Sequence, residues 1–360
     1  MLDAMKYYFA PLEGITGYIY RRAYHKFYPG VDRYYTPFIV PKEKKNLSSK
    51  ERNDVLPKHN FGMCVIPQIM TNKPEDFLRI AAVLKNEYGY REVNLNLGCP
   101  SKTVVSKKRG AGFLTVPDRL DKFLDTVCGV LTSKGMKLSI KTRIGKDLPE
   151  EFPYLLEIFE KYPISELIVH PRVQRDFYGN VPNKQAFAHA YKASLENAWD
   201  LCYNGDLFTV QDCREIYREF PAISAVMMGR GLLQNPMLID EIKIRENSGS
   251  SDKEFKDCCF RRFLDEEMEK GERRRRYELY LQLQDDYLRV LSGEKDVLFK
   301  MKELWMYMCQ DFKDPMDYWR KMKKAQSLSE FQTYVTALCQ NRQLLDTFHD
   351  TIGRADEWNT

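Results

Sequence analysis

The sequence predicts a TIM (β/α)8 barrel, a closed parallel α/β fold, followed by a smaller all-helical C-terminal domain. Three observations carry that reading. Eight short apolar runs lie between Tyr7 and Met227, and nearly every one is followed by a stretch of helical period. Polar, chemically competent residues stand just past most of these runs, and in a closed parallel barrel all such ends open on one face. Past Ile244 the β-branched runs cease, and the chain becomes charged, Met- and aromatic-rich and helical in period. An open doubly wound sheet is the competing architecture, but no Gly-x-Gly-x-x-Gly follows any strand.

Taken in order, Tyr7–Ala10 reads as the first strand and Pro11–Thr16 as its loop. Tyr18–Phe27 reads as a helix carrying Arg21, Arg22 and Lys26 among aromatics. Thr36–Val40 is the second strand, and the basic stretch Lys42–Lys50 an exposed loop, read either as solvated surface or as facing RNA. Cys64–Ile69 is the third. Thr71-Asn72-Lys73-Pro74-Glu75 caps a helix with proline in its first turn, and Phe77, Ile80, Ala81, Val83 and Leu84 follow near a 3.6 period. The stretch from Glu92 that carries Cys99 is the fourth strand; its helix, Pro117–Leu131, sets Leu120, Phe123, Leu124, Val127 and Val130 on one face. Strands then fall at Lys137–Lys141, Glu166–His170, Asp200–Asn204 and Ile223–Met227. Their helices are Glu150–Tyr162, Lys184–Glu196, Thr209–Phe220 and Asn235–Ile244. The domains follow: a barrel over 1–244, a linker over 245–252, a helical domain over 253–345 and a tail over 346–360. Helices are expected at Phe255–Lys270, Arg273–Leu291, Val297–Gln310, Met316–Ala325 and Leu328–Leu345.

Composition bounds the function. The chain has 360 residues, and a single barrel takes about 250, which leaves room for the second domain. A net charge of +5 permits a polyanionic partner without demanding one. The nine cysteines include one close pair, Cys258-Cys259, and no Cys-x-x-Cys, as expected for free thiols in a cytoplasmic protein. No apolar run reaches the ~18 residues of a membrane span. No His or Cys grouping has metal spacing, so no metal centre is expected.

The chemistry centres on Glu92-Val93-Asn94-Leu95-Asn96-Leu97-Gly98-Cys99-Pro100-Ser101-Lys102. Gly98 and Pro100 end the strand and hold Cys99 on a turn at its carboxyl end. Gln68, Asn96, Lys141 with Arg143, His170 with Arg172, Asn204-Gly205-Asp206 and Gly229-Arg230 stand at the other strand ends. Barrels often bind phosphate in the loops after their last two strands, where glycines let the backbone approach the anion. Thiol, lysine, histidine and two such loops suggest proton transfer beside a phosphate-bearing cofactor or substrate. The residues alone leave that choice open. Arg273-Arg274-Arg275-Arg276 reads either as a solvated helix face or as an RNA contact.

Asn96-Leu97-Gly98-Cys99-Pro100 resembles the active-site signature of the tRNA-dihydrouridine synthases, FMN enzymes on a TIM barrel, and the resemblance extends over about residues 6–325. It implies flavin binding by the Pro11–Thr16 loop, with Leu12 and Glu13 where Met-Ala is more usual, and by Gln68, Asn96, Lys141, His170, Asn204, Gly205, Asp206, Gly229 and Arg230. It implies that NADPH (or NADH) reduces FMN, that the flavin passes hydride to C6 of a flipped-out uracil in tRNA, and that Cys99 protonates C5. Lys102, Arg143, Arg172 and Lys107-Lys108-Arg109 would hold the RNA. Gly110-Ala111-Gly112 resembles the family's mobile loop, and Lys300–Trp305 and Trp319–Met322 its tRNA-gripping helical domain. No obligatory protein partner is implied. Two rivals stand beside this: an FMN barrel reducing a small molecule, as a dihydroorotate dehydrogenase does, and a non-catalytic tRNA-binding protein with a relic barrel.

Overall fold

A computed structural model describes residues 5–43, 46–197, 199–247 and 266–345. Nine parallel-paired strands form one sheet: β1 (Lys6–Phe9), β2 (Arg33–Tyr35), β3 (Val65–Ile66), β4 (Gln68–Ile69), β5 (Glu92–Leu97), β6 (Lys137–Arg143), β7 (Glu166–His170), β8 (Asp200–Tyr203) and β9 (Ala225–Met228). Their order is β3-β2-β1-β9-β8-β7-β6-β5-β4. The two ends of that order, β3 and β4, are one stretch of chain interrupted only at Pro67. The sheet therefore closes on itself, and β3 and β4 together supply one stave of an eight-stave barrel. Pro67 has no N–H to give the ladder, but its carbonyl still accepts from Asn94 at 2.9 Å.

The second strand lies earlier than its sequence pattern indicates, at Arg33–Tyr35 rather than Thr36–Val40. Pro37 cannot donate to a ladder, and the Thr36 hydroxyl accepts the Gln68 N–H at 3.0 Å. Ile39 retains only an isolated bridge to Ile69. Inside the barrel Tyr8, Ala10, Tyr35, Ile66, Ile168, Cys202, Ala225 and Met227 form one buried cluster. At its amino-terminal end Glu166 accepts from Tyr8 at 2.8 Å and Tyr35 at 2.7 Å, with Arg33 at 3.6 Å. Burial raises the Glu166 carboxyl against the pull of Arg33 and both phenols.

The crossover helices follow their periodicity. After α1 (Tyr18–Phe27) and α2 (Ser49–Val55), α3 (Pro74–Tyr88) buries Phe77, Ile80, Ala81 and Leu84 and stops at Gly89, whose φ of 78° most side chains avoid. The short α4 (Lys102–Val105) precedes α5 (Pro117–Ser133), α6 (Phe152–Phe159), α7 (Lys184–Glu196), α8 (Val210–Glu219), α9 (Arg230–Gln234) and α10 (Leu238–Asn247). Helix α10 runs into the segment read as linker, and Arg245 within it is buried. Residues 248–252, the first part of the helix expected from Phe255, the Cys258-Cys259 pair and the 346–360 tail lie outside the described residues.

The chain divides into two compact units. The first comprises Met1–Tyr18, Val31–Asp206 and Glu215–Met228 and holds the barrel; the second comprises Ile19–Gly30, Leu207–Arg214 and Gly229–Thr360. Most of α1 thus groups with the C-terminal helices, unlike the single cut near 244 that composition suggests. The Tyr24 hydroxyl donates to the Pro236 carbonyl at 2.7 Å, and Tyr28 to Glu272 at 2.7 Å. The C-terminal helices are α11 (Glu266–Leu288), α12 (Glu294–Met308), α13 (Met316–Lys324) and α14 (Leu328–Asn341). Helix α11 is continuous through Gly271, where the sequence suggests a break. Its arginine run is mostly structural. Arg276 is buried against Glu272 (3.1 Å) and Asp311 (2.5 Å), while Arg275 bonds the Phe27 carbonyl and covers the Tyr28 ring at 4.0 Å. Arg273 serves carbonyls of Cys339, Gln340 and Arg342, so Arg274 is the member of the run turned outward.

Candidate active site

Parallel register builds the site. Gln68 on β4 lies opposite Asn94 on β5, which lies opposite Ser139 on β6; Asn96 lies opposite Lys141. Strand period two sets Asn94 and Asn96 on one face. The Asn96 side-chain oxygen accepts the N–H of Gly98 at 3.1 Å and of Cys99 at 3.0 Å. This amide, rather than glycine, makes the turn: Gly98 is not in the left-handed region. The glycine that the turn requires is Gly110, at φ 52°, where a Cβ would stand 2.9 Å from both the Cβ and the carbonyl oxygen of Cys99. The next residue, Ala111, donates its N–H to that same carbonyl at 3.1 Å. Gly110-Ala111-Gly112 is buried against the turn in a 3-10 segment.

Cys99 is half-buried, and burial pushes its thiol up against the opposing pull of the Ser101 N–H, Arg143 and Lys141. At neutral pH it is a neutral thiol with a proton to give. Lys141 shows the converse. Burial first, and then repulsion from Arg143, push its ammonium down to about 8. Among the described residues it has no hydrogen-bond or ion-pair partner.

Arg143 and Arg172, expected to face RNA, are both 1% exposed. Arg143 donates to the carbonyls of Gly98 (3.0 Å), Val173 (2.8 Å) and Phe177 (2.6 Å), clamping the cysteine turn to the loop after β7. Burial lowers its guanidinium to about 10. Gln174 adds a second tie, donating to the Pro100 carbonyl at 2.9 Å. Phe177, whose carbonyl Arg143 holds, has a φ of 50° that aromatic residues seldom adopt. Arg172 grips both carboxylate oxygens of Asp206 and the carbonyls of Gly179 (3.1 Å) and Asn180 (2.6 Å). It also stands 3.2 Å from His170 Nε2. A guanidinium only donates, so Nε2 is the acceptor and the proton sits on Nδ1. Neither arginine is turned outward, because each supplies donors to carbonyls that the barrel ends would otherwise bury unpaired.

Asn204 donates to the Met227 carbonyl at 2.8 Å. A Cβ on Gly205 would meet the Tyr203 hydroxyl at 2.5 Å. Pro11 and Leu12 are half-buried in a loop closed by the Leu12 N–H on the Thr16 hydroxyl at 2.8 Å. Glu13 is exposed and pairs with Lys50 at 2.6 Å. Lys102 is exposed on α4. Gly229 and Arg230 belong to the helical unit. There Gly229 precedes α9, Arg230 stands over the Phe208 ring at 5.4 Å, and a Cβ on Gly231 would strike the Leu207 carbonyl. The barrel unit therefore gathers Gln68, Asn96, Cys99, Lys141, Arg143, His170, Arg172 and Asp206 through bonds and register. No motif in the sequence marks Ser139 or Gln174. Ser139, two residues before Lys141, shares its strand face, which was a usable signal; Gln174 offered none.

A closed parallel barrel with a neutral thiol, a partnerless lysine, a histidine and buried amides at the carboxyl ends of its strands defines a barrel enzyme. A family model described as dihydrouridine synthase (Dus) matches residues 8–337, and the chain belongs to that family. It is 24% identical over 252 residues to a probable tRNA-dihydrouridine synthase of Staphylococcus epidermidis, covering 66% of this chain and 72% of that one. It is 26% identical over 181 residues to a probable tRNA-dihydrouridine synthase of Staphylococcus aureus, covering 49% of this chain and 53% of that one. Among solved structures it is similar to N-(5'-phosphoribosyl)anthranilate isomerase from Pyrococcus furiosus, with a TM-score of 0.40 and 12% identity, covering 68% and 99% of the two chains. Among the described residues no helix is long and apolar enough to cross a membrane.

Proposed function

We propose that this chain is a tRNA-dihydrouridine synthase that reduces the C5–C6 double bond of specific uridines in tRNA. Bound FMN, re-reduced by NADPH or NADH, supplies the hydride of such a reaction. The donor set suits a flavin. The Lys141 ammonium has no partner of its own and lies in register with Asn96. Gln68 is proposed on the sequence resemblance; its amide is buried between Asn94 and Asn96. Lys141 and His170 are donors suited to the carbonyls and ring nitrogens along one edge of an isoalloxazine. Pro11, Leu12, Glu13, Asn204, Gly205, Asp206, Gly229 and Arg230 are proposed for the rest of the cofactor on the sequence resemblance.

The observation that carries the reading is Cys99, a thiol that burial keeps protonated, held by two backbone N–H groups on the Asn96 oxygen. Cys99 holds the proton for C5 of a uracil taken out of its stack. Arg143 and Gln174 keep the turn and the β7 loop together around it. Lys102 and Lys107, both exposed on the segment after Cys99, are proposed to meet RNA phosphates.

Cys99→Ala is the test. The variant keeps its flavin and its oxidation of NADPH, while single-turnover oxidation of the reduced protein by tRNA falls roughly 10²-fold or more, the scale of losing a positioned acid. Cys99→Ser falls nearly as far, because a hydroxyl is a far weaker acid. A wild-type rate in Cys99→Ala would remove the proton-donor role.

A further inference from the structure

Four buried side chains beside the candidate acid form one directional chain of hydrogen bonds. Ser139 Oγ accepts from Asn94 Nδ2 at 3.0 Å. Asn94 Oδ1 accepts from Gln68 Nε2 at 2.8 Å, and Gln68 Oε1 accepts from Asn96 Nδ2 at 2.6 Å. Asn96 Oδ1 accepts the two N–H groups of the cysteine turn. Asn94, Gln68 and Ser139 are all 0% exposed, so no water relieves a mismatch.

The direction of this chain is determined at one end. A backbone N–H can only donate, so the Gly98 and Cys99 amides force the Asn96 oxygen toward the turn and its NH2 toward Gln68. Gln68 must then offer its oxygen to Asn96 and its NH2 to Asn94, and Asn94 its oxygen to Gln68 and its NH2 to Ser139. Reversing any one amide would set two donors or two acceptors against each other in a buried site.

We infer that Asn94 and Ser139 are positioning residues for Cys99, which act through Gln68 and Asn96 to hold the cysteine turn in the conformation that presents its thiol. This rests on the reading of Cys99 as the proton donor. Asn94 lies five residues from the thiol and is 0% exposed, with its side chain bonded to Gln68 and Ser139. It acts by keeping Gln68 Oε1 pointed at Asn96. Without it, Gln68 is free to turn over and Asn96 loses the partner that aims its oxygen at the turn.

The variants are Asn94→Leu, which has similar volume and no polar group, and Asn94→Asp. Asp at 94 still accepts from Gln68, and the Ser139 hydroxyl rotates to donate or accept according to the carboxyl's protonation, so the direction of the chain survives. The first readout is the rate of Cys99 alkylation by iodoacetamide, mapped by peptide, with the exposed Cys64 as internal reference. It needs neither tRNA nor turnover, so it separates this inference from the proposed activity. The second is single-turnover oxidation of the flavin-loaded, reduced protein by tRNA.

For Asn94→Leu the Cys99-to-Cys64 alkylation ratio changes at least about 3-fold, and the tRNA step slows about 10-fold with flavin retained. Asn94→Asp stays within about 2-fold of wild type in both. An unchanged alkylation ratio in a folded, flavin-loaded Asn94→Leu overturns the inference. Flavin loss with an unchanged ratio overturns it too, by assigning the chain to the cofactor, and equal damage in Asn94→Asp overturns the directional argument. If Asn94→Leu does not fold, Ser139→Ala decides: a shifted ratio supports the inference and a wild-type ratio overturns it. A shifted ratio in a protein whose wild type does not reduce tRNA sustains the positioning of Cys99 and rejects the activity instead.

Discussion

Replacing Arg172 by methionine separates an RNA contact from a structural one. In the structure this guanidinium makes five hydrogen bonds: two to Asp206, one each to the Gly179 and Asn180 carbonyls, and one to His170 Nε2. Methionine keeps the apolar stem and deletes every donor. Taking one partner from a buried ion pair costs about 3–5 kcal/mol. Asp206 retains 24% side-chain exposure, so water recovers part of its solvation, and the low end, about 3 kcal/mol, is expected. In a chain of 360 residues that lowers Tm by roughly 4 °C. Arg172→Lys keeps a charge near Asp206 but loses the forked contacts, and falls between. The assay is a thermal melt of each variant, paired with tRNA affinity at two salt concentrations well below the melting range. Because the side chain is buried, the slope of log affinity against log salt stays at the wild-type value. An unchanged Tm together with a slope smaller by about one would refute this and return Arg172 to the RNA-facing role its position in the sequence suggests.

Three further outcomes follow from the same geometry. With a folded pKa of about 8 against ~10.4 unfolded, Lys141 makes the unfolded chain bind more protons between those values, so its contribution to flavin-free stability rises as pH climbs from 8 to 10.5. Lys141→Met therefore stabilises flavin-stripped protein at pH 7, on the order of 1–2 kcal/mol, while weakening FMN binding; melts from pH 7 to 10 that show no such difference would dismiss the uncompensated charge. Gly110→Ala adds a Cβ 2.9 Å from Cys99 at a φ of 52°, a strain of about 2–4 kcal/mol that falls on the turn itself, so tRNA reduction drops further than flavin content. Equal losses in both measurements would place the strain elsewhere. Lys102→Ala leaves NADPH oxidation intact and reduces the salt slope of tRNA binding by about one, and an unaltered slope would remove Lys102 from the RNA interface.

The sequence by itself determined the alternation of strands and helices, because periodicity and proline or glycine punctuation are short-range properties of the chain. It placed Cys99, Lys141 and His170 at strand ends for the same reason: a strand's end is visible in its own residues. It also determined that the described residues 266–345 are mostly helical. Tertiary structure decided everything that depends on a distant partner. Arg143 and Arg172 read as free cations until carbonyls and Asp206 arrive from other loops and claim them. The second strand moves back to Arg33–Tyr35 because the Thr36 hydroxyl takes the N–H of Gln68, about thirty residues on, and Pro37 has no N–H to extend the ladder. Much of the arginine run turns inward because Glu272, Asp311 and the carbonyl of Phe27 are waiting there. Gly98 looks like the residue that makes the cysteine turn, whereas Asn96 and Gly110 make it, the latter eleven residues beyond Cys99. Local pattern records what a segment can form; which buried donors and acceptors meet is a property of packing, and burial makes each mismatch too costly to persist.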